Sequence, residues 1–388
     1  RNRVISDGYE PGSTFKVLAA YAPALDTSGM TLATVQDDAP YTYANGASLK
    51  NSDNTFRGLI TLREGIIQSV NVAAVKTLTD ISPQTGYDYL LNFGFTTLKQ
   101  SDINQPLAIG GITNGVTNLE LTAAYATIAN KGTYTKPRFY TKILDHENNI
   151  LIDNTPQRRT VLKETTAYLL TSAMQDVITS GTGTSVNFDN MSIAGKTGTT
   201  NDSRDRLFAG FTPYYTCVTW GGFDDNMTQR NYGTRYPLTI WRAIMERVHQ
   251  GLEYKEFERP EGLTEARICK KSGKLAVDGM CDCDPRGSMI TTELFANGTV
   301  PTEYCDHHEK VTICGISGMI ANESCPAASK QSQVYITGGS ADSADGPYLL
   351  PDNMAQGVCT VHGQGQLSGL STDHGNGNGN RNGNHSDN

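Results

Sequence analysis

The sequence predicts an α+β protein in which helices flank an antiparallel sheet, followed by a small cysteine-rich β module and a disordered end. Three observations carry that reading. Apolar residues recur at helical spacing in several stretches, as in Leu170, Ala173, Met174, Val177 and Ile178. Three strand-like runs follow one another across short turns: Met191 to Thr199, Arg206 to Thr212 and Thr216 to Gly222. Seven of the eight cysteines fall between positions 269 and 359.

Near the start stands Tyr9-Glu10-Pro11-Gly12-Ser13-Thr14-Phe15-Lys16. Pro11 and Gly12 break the preceding segment, and Val17, Leu18, Ala19 and Ala20 read as a buried helix with Ser13 at or just inside its start. Ser13 and Lys16, three residues apart, share a helix face. A hydroxyl beside an amine at the positive end of a helix dipole suits a nucleophile and its base. Alone, the spacing is equally that of an ordinary capped helix.

Gly29 to Asn54, rich in Thr, Asn, Asp and Gly, reads as an irregular excursion. Thr61-Leu62-Arg63-Glu64 has the form of a capping box and opens a helix toward Ile81. That helix is interrupted near Gln68 to Asn71 and resumes through Val72-Ala73-Ala74-Val75. A polar Ser69-Val70-Asn71 between two apolar helical runs is hard to explain by packing; its plain alternative is a helix-breaking cap. Tyr87 to Phe95 suggests a helix ended by Gly94, and Leu119 to Ala129 an Ala-rich buried helix with Gly132 as its stop. Tyr140 to Leu144 and Ile150 to Ile152 suggest a strand pair. The helix from Thr165 to Ile178 leads to the three strands, the first of which carries Lys196-Thr197-Gly198-Thr199. Pro237 and Leu238 open a last helix through Ile240, Ile244 and Val248.

At 388 residues the chain has room for two or three domains. Its net charge of -8 and scattered basic residues exclude a nucleic-acid surface. There is no phosphate-binding loop, no signal peptide and no run of ~18 apolar residues. Composition divides the chain into 1–250, a cysteine-rich module at 251–328, an extended segment at 329–371 and a Gly/Asn tail at 372–388. The tail has no apolar side chain and is expected to be disordered.

The cysteine-rich module contains an internal echo. Cys269-Lys270-Lys271-Ser272-Gly273 returns as Cys314-Gly315-Ile316-Ser317-Gly318, and each copy is closed by a second cysteine, Cys281 or Cys325. Each reads as a hairpin turning at Ser-Gly with its cysteines opposite one another, so the expected disulfides are Cys269–Cys281 and Cys314–Cys325. Zinc held by Cys281, Cys283, Cys305 and His307 is the rival reading, and free thiols are a third. No metal is assigned. Cys217, between Thr216 and Val218, reads as a buried apolar residue.

Ser13-x-x-Lys16, Ser69-x-Asn71 and Lys196-Thr197-Gly198 occur in the order found in penicillin-binding proteins and serine β-lactamases. Around them the wording resembles the transpeptidase domain of class A (bifunctional) penicillin-binding proteins of Gram-positive-type bacteria. The matching phrases are YEPGSTFK, PLAIGG (106–111), LTAAYATIANKG (121–132), TSGTG (179–183) and AGKTGTTND (194–202). The resemblance runs from about residue 5 to 250 and implies a penicillin-binding/serine β-lactamase-like fold. Family members carry a membrane anchor, a glycosyltransferase domain and the first strands of the sheet upstream. The chain is therefore expected to be an N-terminally incomplete fragment of a protein on the extracytoplasmic face of the membrane.

The resemblance implies acyl transfer at a D-Ala-D-Ala terminus with no cofactor. Ser13 would be the nucleophile, Lys16 its base, and Ser69 the proton relay bridging Ser13 and Lys196. Asn71 would face the substrate's peptide group, Lys196, Thr197 and Thr199 its carboxylate, and Gly198 would let it lie along the strand edge. The N–H groups of Ser13 and Thr199 would form the oxyanion hole. Partners would be peptidoglycan stem peptides and β-lactams. A serine β-lactamase would need a further base, yet Glu120, Glu147 and Glu164 lack the expected context. A non-turnover penicillin sensor or scaffold is the remaining alternative.

Overall fold

The computed structural model describes residues 2–189, 191–200, 203–229, 233, 235–351 and 357–363. The tail at 372–388 lies outside them. The chain divides into two compact units, 1–309 with 336–349, and 310–335 with 350–388.

In the first unit, a tight turn at Gly12–Thr14 runs into a π-helical segment, Lys16–Tyr21, and then a helix, Ala22–Thr27. Every residue of Lys16–Tyr21 is buried, because a run with no polar stripe has no face to offer water. This rod is the axis of the main core, with Ile66, Val75, Leu90, Leu121 and Leu170 in the same cluster.

The stretch read as irregular contains a strand, β1 (Val35–Asp38), antiparallel to β2 (Gly58–Thr61). Its polar members Gln36 and Asp38 point inward while Val35 and Asp37 are only half-buried. That inverts the usual alternation and hides the strand from a hydropathy reading.

Helix α1 (Leu62–Ile67) starts where Thr61 Oγ1 accepts the Glu64 N–H at 3.2 Å. It ends before Ser69, and α2 (Asn71–Ile81) begins just after, so the expected interruption is a true break. Helix α3 (Asn118–Ala129) is opened by a complete capping box between Thr117 and Glu120. Helix α4 (Glu164–Thr179) and α5 (Tyr236–Val248) complete the helical layer.

Strands β3 (Ala194–Thr199), β4 (Arg206–Phe211) and β5 (Thr216–Gly221) form an antiparallel sheet in the order β5-β4-β3, with Thr199 opposite Arg206. Among the described residues β3 is an edge, hydrogen-bonded on one side only. Trp241 of α5 is fully buried against Phe208 of β4, ring centroids 5.1 Å apart. Cys217 of β5 is partly buried.

The first compact unit runs past position 250, where composition divides the chain. Strands β6 (Leu263–Cys269) and β7 (Ile290–Ala296) pair antiparallel, and β7 packs on α4. Arg63 of α1 ties them together, 2.6 Å from Asp176 of α4 and 2.7 Å from Glu293 of β7. The second unit is organised on the sheet of β8 (His308–Cys314) and β9 (Lys330–Ile336).

Candidate active site

The turn bearing Ser13 is wedged between two backbones. Gly12 has φ +52°, and a Cβ there would lie 2.7 Å from the Thr199 carbonyl oxygen. On its other side Gly110 comes so near that a Cβ would sit 2.6 Å from the Gly12 nitrogen. Only glycine fits a left-handed position with a strand against it. Gly198 has the same purpose: its missing Cβ would fall 2.9 Å from Thr14 Cγ2 and 3.0 Å from the Pro11 carbonyl. Three glycines thus set Ser13 against the edge of β3, and Gly198 gains a packing reason that its sequence context did not reveal. Tyr125 of α3 fixes the turn from behind, donating its hydroxyl to the Thr14 carbonyl at 2.9 Å.

Lys16 and Lys196 are both fully buried. Lys16 Nζ donates to the Ser69 carbonyl and to Asn71 Oδ1, each at 2.6 Å, and lies 3.3 Å from Ser69 Oγ. Lys196 Nζ donates to the same Ser69 Oγ at 2.7 Å. Burial pushes Lys16 well below the usual lysine range, and the Lys196 charge lowers it further. Burial alone pushes Lys196 down to about 7. A neutral amine has two N–H donors, and the two short bonds of Lys16 use both. Its lone pair is left for a hydroxyl proton, which is what a general base for Ser13 requires.

Ser69 sits between the two lysines in a left-handed conformation, φ +57°. A non-glycine residue there is strained, and such strain gathers at functional sites. The strain is held by Asn51, a residue no sequence signal singled out. Its Oδ1 accepts the N–H of Asn71 at 2.9 Å and of Val72 at 3.3 Å, capping α2. Its Nδ2 donates to the buried Asp38 at 2.7 Å.

Asn71 lines the groove beside Ser13, but its amide is engaged by Lys16 and by the Lys50 carbonyl, 2.7 Å from Nδ2. Its clearest task is to orient Lys16. Thr197 and Thr199 line the same groove on β3, and Thr182 of the 179–183 phrase meets Thr197 hydroxyl to hydroxyl at 2.8 Å. The expected Ser13, Lys16, Ser69, Asn71, Lys196, Thr197, Gly198 and Thr199 therefore converge on one open groove. The three glutamates that could serve a β-lactamase are engaged elsewhere. Glu120 accepts from Thr96 and Thr117, Glu164 pairs with Lys131 at 3.1 Å, and Glu147 is exposed on a hairpin.

The cysteines fall into place differently from the expected pairs. All eight are free thiols. Cys269 and Cys281 gather with Cys305 and His308, and Cys314 and Cys325 with Cys359 and His362. Of the ligands weighed for zinc, Cys283 is exposed and outside the cluster. His307 instead lies 2.8 Å from Asp306, since successive side chains of an extended segment point to opposite sides.

Comparison with known proteins agrees with this geometry. The family described as Penicillin binding protein transpeptidase domain matches residues 1–246, and Penicillin-binding protein 1A, C-terminal domain, matches 259–310. The chain is 33% identical over 372 residues to Penicillin-binding protein 1A of Clostridium botulinum, covering 92% of this chain and 45% of that protein. It is 37% identical over 330 residues to Penicillin-binding protein 1A of Clostridium tetani, covering 79% and 41%. The chain thus spans less than half the length of these curated relatives. Among solved structures it resembles Penicillin-Binding Protein 1A from Haemophilus influenzae, with TM-score 0.68 and 25% identity over 78% of this chain and 50% of that one. The fold is shared with the PonA1 protein from Mycobacterium tuberculosis, TM-score 0.58 at 23% identity, covering 65% and 72%.

Proposed function

We propose, for a chain that belongs to the penicillin-binding protein transpeptidase family, a D,D-transpeptidase that cross-links peptidoglycan stem peptides through an acyl-enzyme on Ser13. The observation that carries this is the meeting of two buried lysines on the Ser69 hydroxyl, one turn from Ser13.

The stem peptide lies along the free edge of β3 in the manner of an added strand. Lys196 with the Thr197 and Thr199 hydroxyls receives its terminal carboxylate. Ser13 Oγ attacks the penultimate D-Ala carbonyl, and its proton passes to neutral Lys16. The N–H groups of Ser13 and Thr199 hold the oxyanion, each contributing about 3 kcal/mol to the transition state. Ser69, poised between the two amines, passes a proton to the departing nitrogen as the C–N bond breaks and D-Ala leaves. An amine from a second stem peptide then attacks the ester, loses its proton to Lys16 and frees Ser13. One peptide bond replaces another, so no energy-rich cosubstrate is required. A β-lactam presents a carboxylate and a strained amide to the same groups and acylates Ser13.

Among the described residues no helix is long and apolar enough to cross a membrane. The likeness to much longer relatives supports a whole protein with an anchor and a glycosyltransferase domain, working on the outer face of the membrane.

The test is intact mass after incubation with benzylpenicillin, on this chain and on Ser13→Ala. A one-to-one adduct absent from the variant is expected. No adduct on a chain shown to be folded overturns the assignment. Release of D-Ala from a D-Ala-D-Ala peptide, with formation of a cross-linked product, separates turnover from a penicillin sensor that remains acylated.

A further inference from the structure

We propose that the cysteine-rich region binds two Zn2+ ions, one in each compact unit, at Cys269, Cys281, Cys305 and His308 and at Cys314, Cys325, Cys359 and His362. These sites lie outside the acyl-transfer groove, and the inference does not rest on the activity proposed there.

Within each cluster the four donor atoms lie within 4.8 Å of one another. A tetrahedral zinc, with Zn–S of about 2.3 Å and Zn–N of about 2.0 Å, separates its sulfurs by roughly 3.8 Å and sulfur from nitrogen by roughly 3.5 Å. His308 Nδ1 is 3.4 Å from the Sγ atoms of both Cys269 and Cys305. His362 Nδ1 is 3.4 Å from those of both Cys314 and Cys359. The nitrogen is thus at the tetrahedral edge length from two sulfurs in each cluster. A disulfide explains neither feature: one bond per cluster leaves a third thiol over and gives the imidazole no reason to face sulfur. Three thiolates and one imidazole are a soft donor set that suits zinc and not a hard cation.

The two clusters are built by the same backbone. The first ligand ends a strand and starts a tight turn, with the Gly273 N–H on the Cys269 carbonyl at 2.8 Å and the Gly318 N–H on the Cys314 carbonyl at 2.7 Å. Both glycines take a positive φ, 71° and 68°. The turn returns the chain so that Ile268 bridges Leu275, and Ile313 bridges Ile320. The returning strand then pairs in parallel with a distant segment, Leu275 with Tyr304 and Ile320 with Val358. The residues that follow are Cys305 and Cys359, each beginning a Cys-x-x-His. Two stretches with different loops between their ligands arrive at one arrangement, so the constraint is at the ligands.

The first site also has the outer support of a bound metal. His308 Nε2 lies 3.0 Å from Asp284 Oδ2, and both side chains are fully buried. A carboxylate on the remote nitrogen fixes the ring and the tautomer that metal binding needs. Asp284 is held by Arg286 at 2.8 Å, and Arg286 also pairs with the buried Asp345. Asp345 accepts the Leu59 N–H at 2.6 Å, and Lys271, from the ligand-bearing turn, donates to the Leu59 carbonyl at 2.9 Å. The first site thereby braces β2, the strand that leads into α1 and Ser69.

Binding releases three thiol protons per ion to solvent, leaves the histidine neutral and involves no electron transfer. With four protein ligands each site is closed, and so structural.

The test is native mass spectrometry of the whole chain, grown with zinc and purified in a non-chelating reductant. Two zinc ions per chain are expected. Cys305→Ser and Cys359→Ser should each retain one and the double variant none. Since a variant can fail to fold, Co2+ substituted into the unaltered chain supplies a second readout, the thiolate-to-cobalt charge-transfer and intense d–d bands of tetrahedral coordination. A chain without metal after Zn2+ is added overturns the proposal, whether its denatured mass is lower by the hydrogens of two disulfides or all its thiols alkylate. A stoichiometry of one overturns the two-site assignment.

Discussion

Lys16 and Lys196 reach the same hydroxyl, that of Ser69, at 3.3 and 2.7 Å. Neither can be charged without cost to the other, because both are fully buried and the Lys196 charge lowers Lys16. Removing that cation lets Lys16 hold its proton to higher pH. In Lys196→Ala the rising limb of the pH profile for Ser13 acylation is therefore expected to move to higher pH, with acylation at pH 7 down at least ~10-fold for a one-unit shift. Fluorescent-penicillin acylation rates from pH 5 to 10 measure it. A limb that keeps its position while only the amplitude falls would show that the lysines are not coupled.

The same burial makes stability depend on pH. Lys196 is held at about 7 in the folded chain, against ~10.4 unfolded. Between those values the unfolded chain binds one proton more, so stability rises with pH by at most ~1.4 kcal/mol per unit. Below about 7 both states are protonated and the dependence from this residue ends. Urea unfolding of the native chain and of Lys196→Met at pH 7, 8 and 9 should give a stability difference that grows with pH in favour of the native chain. A constant difference would mean that Lys196 is charged when folded.

Glycine at position 12 meets two demands at once, φ +52° and a strand backbone 2.7 Å from where a Cβ would be. Gly12→Ala must push Ser13 away from Thr199, and a displacement of order 1 Å can cost ~100-fold in rate. Gly198→Ala meets the flexible Thr14 methyl at 2.9 Å and the Pro11 carbonyl at 3.0 Å, and is expected to cost less. Second-order acylation constants for both variants decide it; equal effects would argue against the close approach at Gly12 as the controlling feature.

Arg63 holds α1, α4 and β7 through Asp176 and Glu293, and the Glu293 side chain is almost wholly buried. Arg63→Met leaves that carboxylate without its cation, a loss of ~3–5 kcal/mol. Arg63→Met combined with Glu293→Gln should recover much of it, as thermal unfolding can measure. No recovery would place the cost in packing and not in charge.

The catalytic residues were legible because each breaks a local rule. Ser69 and Asn71 are polar between two apolar helical runs, and Ser13 and Lys16 share a face at a proline-glycine break. Their convergence was not legible, since Lys16, Ser69 and Lys196 meet only through tertiary packing. The metal-ligand geometry failed to show for a related reason. The repeated Cys-x-x-Ser-Gly marks two ligands of each cluster and suggests a pair, while the third cysteine and the histidine arrive from distant segments. The recurrence of Cys-x-x-His at 305–308 and 359–362 was the available signal. Asn51 gave none, because an asparagine in a polar stretch looks like a loop residue until Asp38 of the inverted strand β1 meets it.

Asn51 supplies the last test. Its carbonyl oxygen caps α2 at Asn71 and Val72, and its amide donates to Asp38, which is fully buried. Asn51→Ala removes the cap and a donor from a buried carboxylate, expected to cost ~2–4 kcal/mol and to loosen the Asn71 amide that orients Lys16. Asn51→Asp distinguishes the two contributions. It keeps an acceptor for the α2 N–H groups but sets two carboxylates together, which raises the affinity of the folded pair for a proton. The folded chain then binds more protons than the unfolded one, so this variant should lose stability as pH rises from 5 to 8. At the acid end one protonated carboxyl can donate to the other and replace the lost bond. Thermal unfolding across that range, referenced to the unaltered chain, measures it. A pH-independent deficit would mean that Asp38 and residue 51 separate in the variant, and that the cap alone sets the position of Asn71.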